Sequence, residues 1–404
     1  MAAAFPSHPA NYLSLFARKV GARVRGFGAR VGRTIEESRC ISLGAEGRAR
    51  GDVLLSYVTR PFTLRPGEPL PNTHSEFRES AEMAATFLER GYNVDVISFQ
   101  NNTFVPKKRY DFFVDSRRNL QRLAPALGPD CVKVMHVNAA HVLFHDAAQL
   151  RRLLALQQRR GVTLRWRKFE VPYWGIEHAD FATVLGNRFT MNTYRYADKP
   201  LYPVPITSPV LYDWPEDKDF ESARRSFLWF GSGGLVHKGL DLVLEAFAAM
   251  PELQLTVCGP VSEEKDFEDA YRRELYETPN IRTVGWVDIA GREFAEIARG
   301  CVGLVYPSCS EGQCGGVATC MNAGLIPVVS YETGYDLAED TGVILRDCSL
   351  EEIKDSVRRV AGLPARTLEA MARRAWEYGR ANHTGEKFGE EYRKAIDQII
   401  EARG

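Results

Sequence analysis

Two strand–loop–helix units between Phe227 and Ser330 constrain the fold of this chain more than any other feature. The first has the strand "FLWFG", the glycine-rich turn "SGGLVHKG" and the helix "LDLVLEAFAAM". The second has the strand "VGLVYPS", the loop "CSEGQCGG", the helix "VATCMNAG" and the next strand "LIPVVS". Strands alternating with helices predict an open, doubly wound parallel α/β sheet, whose ligands bind beyond the carboxyl ends of the strands. Both glycine-rich loops follow such ends, so we expect them to face one crevice.

The rest of the chain predicts a second α/β domain. A length of 404 residues exceeds what one hydrophobic core usually serves. Strands such as "DVLLSYVT" and "YNVDVISF" alternate with helices from Gly51 onward, whereas the proline-rich stretch 200–225 resembles an extended linker. We therefore predict an N-terminal arm, a first Rossmann-like domain, a linker, a second Rossmann-like domain and a C-terminal helix, with bounds at 1–50, 51–205, 206–225, 226–380 and 381–404.

Composition excludes several classes of protein. The formal net charge is zero, which argues against bulk nucleic-acid binding. No apolar run approaches the roughly 20 residues that a membrane-spanning helix needs. The eight cysteines lack CxxC spacing and several lie in predicted strands or helices, which favours reduced thiols in a cytoplasmic protein over a disulfide framework.

The N-terminal stretch Asn11–Arg33 differs from the rest of the chain. It is rich in arginine, lacks acidic residues and carries apolar residues at helical spacing. This pattern is typical of a basic amphipathic segment on an anionic membrane surface, which would make the protein peripheral at the inner face of a membrane. The alternatives are a loosely packed arm and an arginine-rich transit peptide, and several glycines weaken the helix prediction.

The first glycine turn, Gly231–Gly234, is a candidate phosphate site. Its glycines allow close backbone approach and are expected to leave amides free at a helix start. Lys238, just before that helix, can neutralise a diphosphate as a point charge. The alternative is an ordinary tight turn with a solvated lysine. Val236 stands where a dinucleotide-binding GxGxxG fingerprint needs glycine. Gly259-Pro260 closes the next strand and is a weaker candidate.

The second loop, Ser308–Gly316, is the other candidate. Its glycines leave amides near a helix N-terminus, a ready anion site. Glu311 among them can accept hydrogen bonds from sugar hydroxyls, or alternatively interact with the helix dipole alone. The cysteines of this region have no metal-ligand spacing and no adjacent histidine, so we predict no metal.

The first domain offers acceptor-side candidates. His136 and His141 flank "VNAA" at a predicted strand end, where they could bind an acceptor or stabilise charge. Glu79 on the first helix is a lesser candidate. No Asp-x-Asp pair follows a strand in a position to hold a divalent metal.

Residues Phe227–Leu345, with "FGSGGLVHKGLDLVLEAF" and "LVYPSCSEGQCGGVATCMNAGLIPVVS", resemble the nucleotide-sugar domain of family 4 glycosyltransferases, which have the two-domain GT-B fold. The resemblance is weaker over Gly51–Pro205 and absent from the first fifty residues. It implies transfer of a sugar from a nucleotide donor, UDP- or GDP-linked, to a glycan or lipid-linked acceptor, with retention at the anomeric carbon and usually without metal.

The resemblance also implies roles for individual residues. Lys238 would bind the diphosphate, Glu311 would contact the transferred sugar as the first acid of the family's Glu-x7-Glu motif, and His141 would lie near the reacting centre. His136 is the less favoured histidine. The donor-side candidates are Gly231, Ser232, Gly233, Gly234, Lys238, Gly259, Pro260, Glu311, Gly312, Gln313, Cys314, Gly315, Gly316 and Thr319.

Two positions depart from the family's pattern. Thr319 occupies the second acidic place of the motif, where a glutamate usually holds the ribose, and offers no charge. The arginine that usually follows the first glycine turn is absent near Ser232, and Arg167 could substitute from the other domain. The rivals to a transferase are a sugar-nucleotide epimerase of the same fold and a binding protein with a decayed site.

Overall fold

The computed structural model describes residues 38–403, so the predicted basic segment Asn11–Arg33 lies outside the described residues. Within that range, thirteen strands form two sheets. The strands are β1 Cys40–Leu43, β2 Gly51–Tyr57, β3 Tyr92–Ser98, β4 Phe112–Asp115, β5 Val132–Val137, β6 Phe181–Leu185, β7 Leu201–Val204, β8 Ser226–Phe230, β9 Gln254–Cys258, β10 Ile281–Gly285, β11 Gly303–Tyr306, β12 Ile326–Ser330 and β13 Val343–Leu345.

Helices connect these strands and cover the sheets. The α-helices are α1 Glu76–Glu89, α2 Asn119–Leu123, α3 Val142–Arg160, α4 Arg188–Tyr194, α5 Phe220–Ala223, α6 Leu240–Ala248, α7 Lys265–Ala270, α8 Arg272–Tyr276, α9 Arg292–Gly300, α10 Gly315–Asn322, α11 Leu350–Ala361, α12 Ala365–Asn382 and α13 Gly385–Arg403. Short 3-10 turns lie at Arg60–Thr63, Ala124–Ala126, Ile176–His178, Arg195–Ala197, Val261–Glu263 and Tyr331–Thr333.

The second sheet has the order β10-β9-β8-β11-β12-β13 and all its recorded pairings are parallel. This is the doubly wound order in which the chain reverses direction between its first and fourth strands, here β8 and β11. A crevice opens at that point beyond the carboxyl ends of the strands. Both glycine-rich loops begin there, because one follows β8 and the other follows β11.

The first sheet has the order β1-β3-β2-β4-β5-β6-β7. Strands β2 to β7 are parallel, and the order reverses between β2 and β4. Its carboxyl edge therefore also presents a crevice. The predicted architecture of two doubly wound α/β sheets is confirmed.

Two edge strands correct the sequence interpretation. β1 lies inside the stretch predicted to be an N-terminal arm, and it pairs antiparallel with β3. β7 contains Pro203, within the stretch that looked like linker, and pairs with β6. Proline is tolerated in an edge strand because its backbone, which lacks an N–H, need not donate to a second neighbouring strand.

The last helix, α13, returns to the first sheet. Arg393 binds Glu89 at 2.7 Å and Arg90 binds Asp397 at 2.7 Å, which joins α13 to the end of α1. Phe388 and Tyr392 of α13 are fully buried beneath these pairs. The chain therefore crosses between the two sheets twice, and the second crossing fixes the first sheet to the end of the chain.

Candidate functional site

A cavity of about 510 Å³ lies between the two sheets. The second sheet contributes both glycine-rich loops to its lining, and the first sheet contributes the ends of β2, β4 and β5. The predicted donor-side residues that line it are Gly231, Ser232, Lys238, Glu311, Gln313, Cys314, Gly315, Gly316 and Thr319. Glu79 is the acceptor-side candidate that does so. The two loops thus share one cavity.

Lys238 and Glu311 form an ion pair at this cavity. The Lys238 ammonium lies 3.0 Å from Glu311 Oε1 and donates a hydrogen bond of 2.8 Å to the Tyr306 hydroxyl. Ser308 Oγ donates to the same carboxylate oxygen at 2.9 Å. Tyr306 is the last residue of β11, so the strand end itself aligns the pair.

Both partners of this pair are ionised. Burial opposes the charge on Glu311, but the charge of Lys238 and its hydrogen bond outweigh it and lower the pKa of Glu311 to about 2. Burial likewise opposes the charge on Lys238, but the Glu311 carboxylate raises the pKa of Lys238 above its ordinary value. The cavity therefore holds a fixed cation and a fixed anion about 3 Å apart.

The first glycine turn is not the open phosphate site that the sequence predicts. The buried carboxylate of Glu264 accepts hydrogen bonds from the amides of Gly234 at 2.5 Å and Leu235 at 3.3 Å. An internal anion therefore already occupies the turn. Gly233 and Gly234 lie outside the cavity lining, whereas Gly231 and Ser232 remain in it.

Gly259, Pro260 and Gly312 do not line the cavity. A Cβ on Gly259 would lie 2.6 Å from the Gly231 carbonyl oxygen and 2.8 Å from the Trp229 ring, so this position supports the turn. A Cβ on Gly312 would lie 2.5 Å from the Asn138 carbonyl oxygen of the first sheet. These glycines permit close packing, and we assign them no contact with a ligand.

The start of α10 is open to the cavity. Cys314 is its N-cap, and Gly315 and Gly316 form its first turn on the cavity wall. Gln313 is tied down, because its Oε1 accepts from the Ile206 amide at 2.7 Å and its Nε2 donates to the Gly334 carbonyl at 3.1 Å. Thr319, 2 % exposed, lies one turn further along α10. The helix start can meet an anion with unblocked amides.

The two predicted histidines do not line the cavity. His136 is fully buried between Tyr57, Phe388 and Tyr392, where burial lowers its pKa to about 3. His141 caps α3 and its Nε2 lies 3.0 Å from the Tyr196 hydroxyl. The sequence predicted that both histidines face the crevice, and neither lines the cavity. A position at a strand end does not determine the direction of the side chain.

His145, one helical turn after His141, is a histidine of this helix that does line the cavity. Its Nε2 lies 2.7 Å from the Lys168 carbonyl oxygen, and its ring lies 4.7 Å from that of His237. His237 is itself buried and lines the cavity beside Lys238. The i, i+4 spacing from His141 to His145 is the signal that sequence reasoning missed.

Glu79 lies in the wall formed by the first sheet. Its carboxylate accepts a hydrogen bond of 2.8 Å from the Tyr57 hydroxyl and one of 3.4 Å from the Thr207 amide. Burial raises its pKa to about 7. Glu79 can therefore gain or lose a proton near neutral pH.

Arg167 does not reach the cavity. It pairs with Asp266 and, at 3.4 Å, with Glu264, so it joins the first sheet's loop to the second sheet's surface. The next residue, Lys168, lines the cavity instead. The sequence therefore singled out the loop that reaches the cavity, but Lys168 rather than Arg167 is the side chain that lines it.

Arg117 and Trp286 also line the cavity and were missed. Arg117 follows β4, where the first sheet reverses its strand order, and pairs with Glu170 at 2.7 Å. Trp286 follows β10 and is 61 % exposed. Their positions just after strand ends are signals that the sequence carries.

Residues 38–403 contain no cluster of three His, Cys, Asp or Glu side chains that could hold a metal ion. They also contain no helix with the length and hydropathy that crossing a bilayer requires.

Residues 224–363 match the family described as "Glycosyl transferases group 1". A comparison with curated proteins finds no match. Among solved structures, the chain is similar to sucrose-phosphate synthase from Thermosynechococcus elongatus, at 12 % identity and a TM-score of 0.61, over 87 % of this chain and 100 % of that chain.

Two other structures are similar over most of their length. HepE from Anabaena in complex with UDP-glucose has 10 % identity and a TM-score of 0.54, covering 86 % of this chain and 100 % of that chain. WaaG, a glycosyltransferase involved in lipopolysaccharide biosynthesis, has 14 % identity and a TM-score of 0.51, covering 84 % and 98 %. The chain spans little more than half of three further matched structures, 53 to 57 % of their length. The predicted GT-B fold of two Rossmann-like domains is confirmed.

Proposed function

We propose that this chain, whose residues 224–363 form a domain of the glycosyl transferases group 1 family, transfers a sugar from a nucleotide-sugar donor to an acceptor hydroxyl. The acceptor in this proposal is a glycan or a lipid-linked glycan, and the transfer retains the anomeric configuration without a metal ion. The observation that carries the proposal is the Lys238–Glu311 pair beside the open start of α10.

The donor's diphosphate would bind beside the Lys238 ammonium and the start of α10. Lys238 and the first amides of α10 face one cavity, and both can stabilise charge on a departing phosphate. Glu311 would accept hydrogen bonds from hydroxyls of the transferred sugar, because it stays ionised down to low pH. Thr319 would hydrogen-bond a ribose hydroxyl.

The proposed reaction takes place on one face of the sugar. The bond from the anomeric carbon to the phosphate oxygen breaks, the acceptor oxygen forms the new glycosidic bond, and the acceptor's proton passes to the leaving phosphate oxygen. The protein's contribution is positioning and electrostatic stabilisation of the leaving diphosphate. Approach of the two domains excludes water that would hydrolyse the donor.

The donor base and the acceptor belong to the proposal as well. UDP-sugars are favoured because HepE, of the same fold, was solved with UDP-glucose, and GDP-sugars are the alternative. The acceptor would bind against the wall that carries Glu79 and Arg117. A basic N-terminal arm on an anionic membrane, in a cytoplasmic protein, fits a lipid-linked acceptor.

Glu79 favours a second candidate, a sugar-nucleotide epimerase. Such an enzyme needs acid–base groups in the cavity and no acceptor. A carboxyl with a pKa of about 7 in the cavity wall is a group of that kind. A decayed binding protein has only Thr319 and the missing arginine in its favour.

The test is to incubate the protein with a panel of UDP- and GDP-sugars, with and without glycan acceptors, and to measure nucleotide release and donor identity. Release that depends on an acceptor supports the transferase. An isomerised donor without release would replace it with the epimerase. Absence of both, with no nucleotide sugar raising the melting temperature, would refute both enzymes.

Variants locate the activity once a donor is known. We expect Lys238→Ala and Glu311→Ala each to lower turnover at least about tenfold, or about 1.4 kcal/mol of transition-state binding. Lys107→Ala, at an exposed lysine outside the cavity lining, is the control and should stay within about threefold. Wild-type rates in both alanine variants would mean that the reaction occurs elsewhere.

A further inference from the structure

Lys168 belongs to the first domain and lies against the first glycine turn of the second domain. Its aliphatic stem lies across Gly234, because a Cβ on that glycine would come within 2.7 Å of Lys168 Cγ. Lys168 also lines the cavity that contains Lys238 and Ser232. A first-domain cation therefore lies beside the turn of the second domain.

The backbone at Lys168 is held in an uncommon conformation. Its φ is +62°, in the left-handed region that side chains other than glycine rarely adopt. The adjoining segment is fixed at several points, since His145 binds the Lys168 carbonyl and Asp266 accepts from the Arg165 amide at 2.8 Å. Strained residues persist where surrounding contacts define them, often at ligand sites.

The charge balance of the cavity shows what Lys168 adds. Lys238 is already neutralised by Glu311, so that pair brings no net charge to a diphosphate. Glu264, which accepts from the amides of the turn, is likewise paired with Arg167 at 3.4 Å. Among residues 38–403, no carboxylate lies within 4.0 Å of the Lys168 ammonium. Burial and the nearby charge of Lys238 lower the pKa of Lys168, and an anionic ligand beside it would oppose that shift.

We propose that Lys168 is a binding residue for the diphosphate of the donor, supplied across the cleft in place of the arginine that is absent after the first glycine turn. The inference rests on the proposed function, since it assigns a residue to the same donor site. A diphosphate between Lys168 and Lys238 would also hold the two domains together. Removing Lys168 should therefore weaken binding of the diphosphate and leave binding of the nucleoside unchanged.

The experiment measures the affinity of the full-length chain for UDP and uridine, and in parallel for GDP and guanosine. We expect Lys168→Ala to lose at least about tenfold in affinity for the diphosphate that binds wild type, with the nucleoside within about twofold. Lys168→Arg should restore binding to within about threefold. Lys107→Ala removes an exposed lysine of the same domain that does not line the cavity, and should bind as wild type.

The outcomes separate this inference from the function it rests on. If Lys168→Ala binds the diphosphate as tightly as wild type while Lys238→Ala does not, Lys168 is not a phosphate ligand and the proposed function stands. An equal loss for nucleoside and diphosphate would also overturn the inference, because it indicates a general distortion. If wild type binds neither diphosphate, both proposals fail.

Discussion

The turn Gly231–Gly234 and the loop Glu311–Gly316 each join a strand end to a helix, and a glutamate lies beside each. At the turn, Glu264 is 5 % exposed and its carboxylate binds two backbone amides. At the loop, Glu311 faces the cavity and binds side chains, including Lys238. The same residue type completes the fold in one place and stays available to a ligand in the other. A glycine-rich loop is thus a ligand site only where the protein leaves its amides unfilled.

The largest effect should come from Glu264→Ala. The change leaves the amides of Gly234 and Leu235 buried without an acceptor, at about 1–3 kcal/mol each. We expect the free energy of unfolding to fall by about 2–4 kcal/mol in urea denaturation. Glu264→Gln keeps an acceptor and should lose about 1 kcal/mol. Equal stability of the alanine variant and wild type would mean that Glu264 does not complete the turn.

Neighbouring glycines of the turn provide the next test. Gly234 has φ +90° and lies against Lys168, so Gly234→Ala combines backbone strain with a collision. We expect a loss of about 2 kcal/mol in the free energy of unfolding. At Gly233 the nearest atom to an added Cβ is 3.5 Å away, so Gly233→Ala is the matched control and should lose under about 1 kcal/mol. Similar losses at both positions would contradict the close approach of Lys168.

The ion pair at the other loop predicts a pH dependence. The pKa of Glu311 is about 2 in the folded chain and 4.5 ordinarily, so its contribution to stability is complete above pH 4.5 and is lost as pH falls toward 2. We expect the stability advantage of wild type over Glu311→Gln to shrink by about 1 kcal/mol between pH 6.5 and pH 3.5. Denaturation at both pH values measures it, and a constant advantage would mean that Glu311 is not paired with Lys238.

The sequence predicted most of the second sheet because its strands are buried apolar runs separated by glycine-rich turns. It missed β1 and β7 because edge strands are short and half-exposed, and Pro203 in β7 is a residue typical of linkers. It identified a C-terminal helix, but nothing local in α13 indicates that its partner is α1, some three hundred residues earlier. Contacts between distant segments leave no periodicity in the sequence.

The candidate site shows the same limit. The sequence placed Glu311 and Lys238 at the crevice, where both line the cavity, because their neighbours along the chain predict a strand end and a helix start. The sequence did not indicate that Glu264 binds the first glycine turn, because the amides it binds lie about thirty residues away along the chain. Lys168 was missed for a conformational reason, since its position depends on a φ of +62° that its sequence neighbours do not indicate. Histidines 136 and 141 were misplaced because strand-end position does not determine side-chain direction.

The smallest effect should come from Thr319, the position on α10 where the sequence departs from the pattern of the family that it resembles. Thr319 lies on α10 and lines the cavity, so we propose that its hydroxyl binds the ribose. Thr319→Val keeps the shape and removes one hydrogen bond, which is worth about 0.5–1.5 kcal/mol. We expect a two- to tenfold loss of affinity for UDP or GDP, whichever binds wild type.

A comparison with the 2′-deoxynucleotide assigns this loss to one bond. If Thr319 binds the 2′-hydroxyl, wild type should prefer the ribonucleotide and Thr319→Val should lose that preference, because each change removes the same contact. Thr319→Ser keeps the hydroxyl and should retain the preference. An undiminished preference in the valine variant would mean that another group of the cavity holds the 2′-hydroxyl. The second loop would then supply charge and amides to the diphosphate and sugar but no contact to the 2′-position of the ribose.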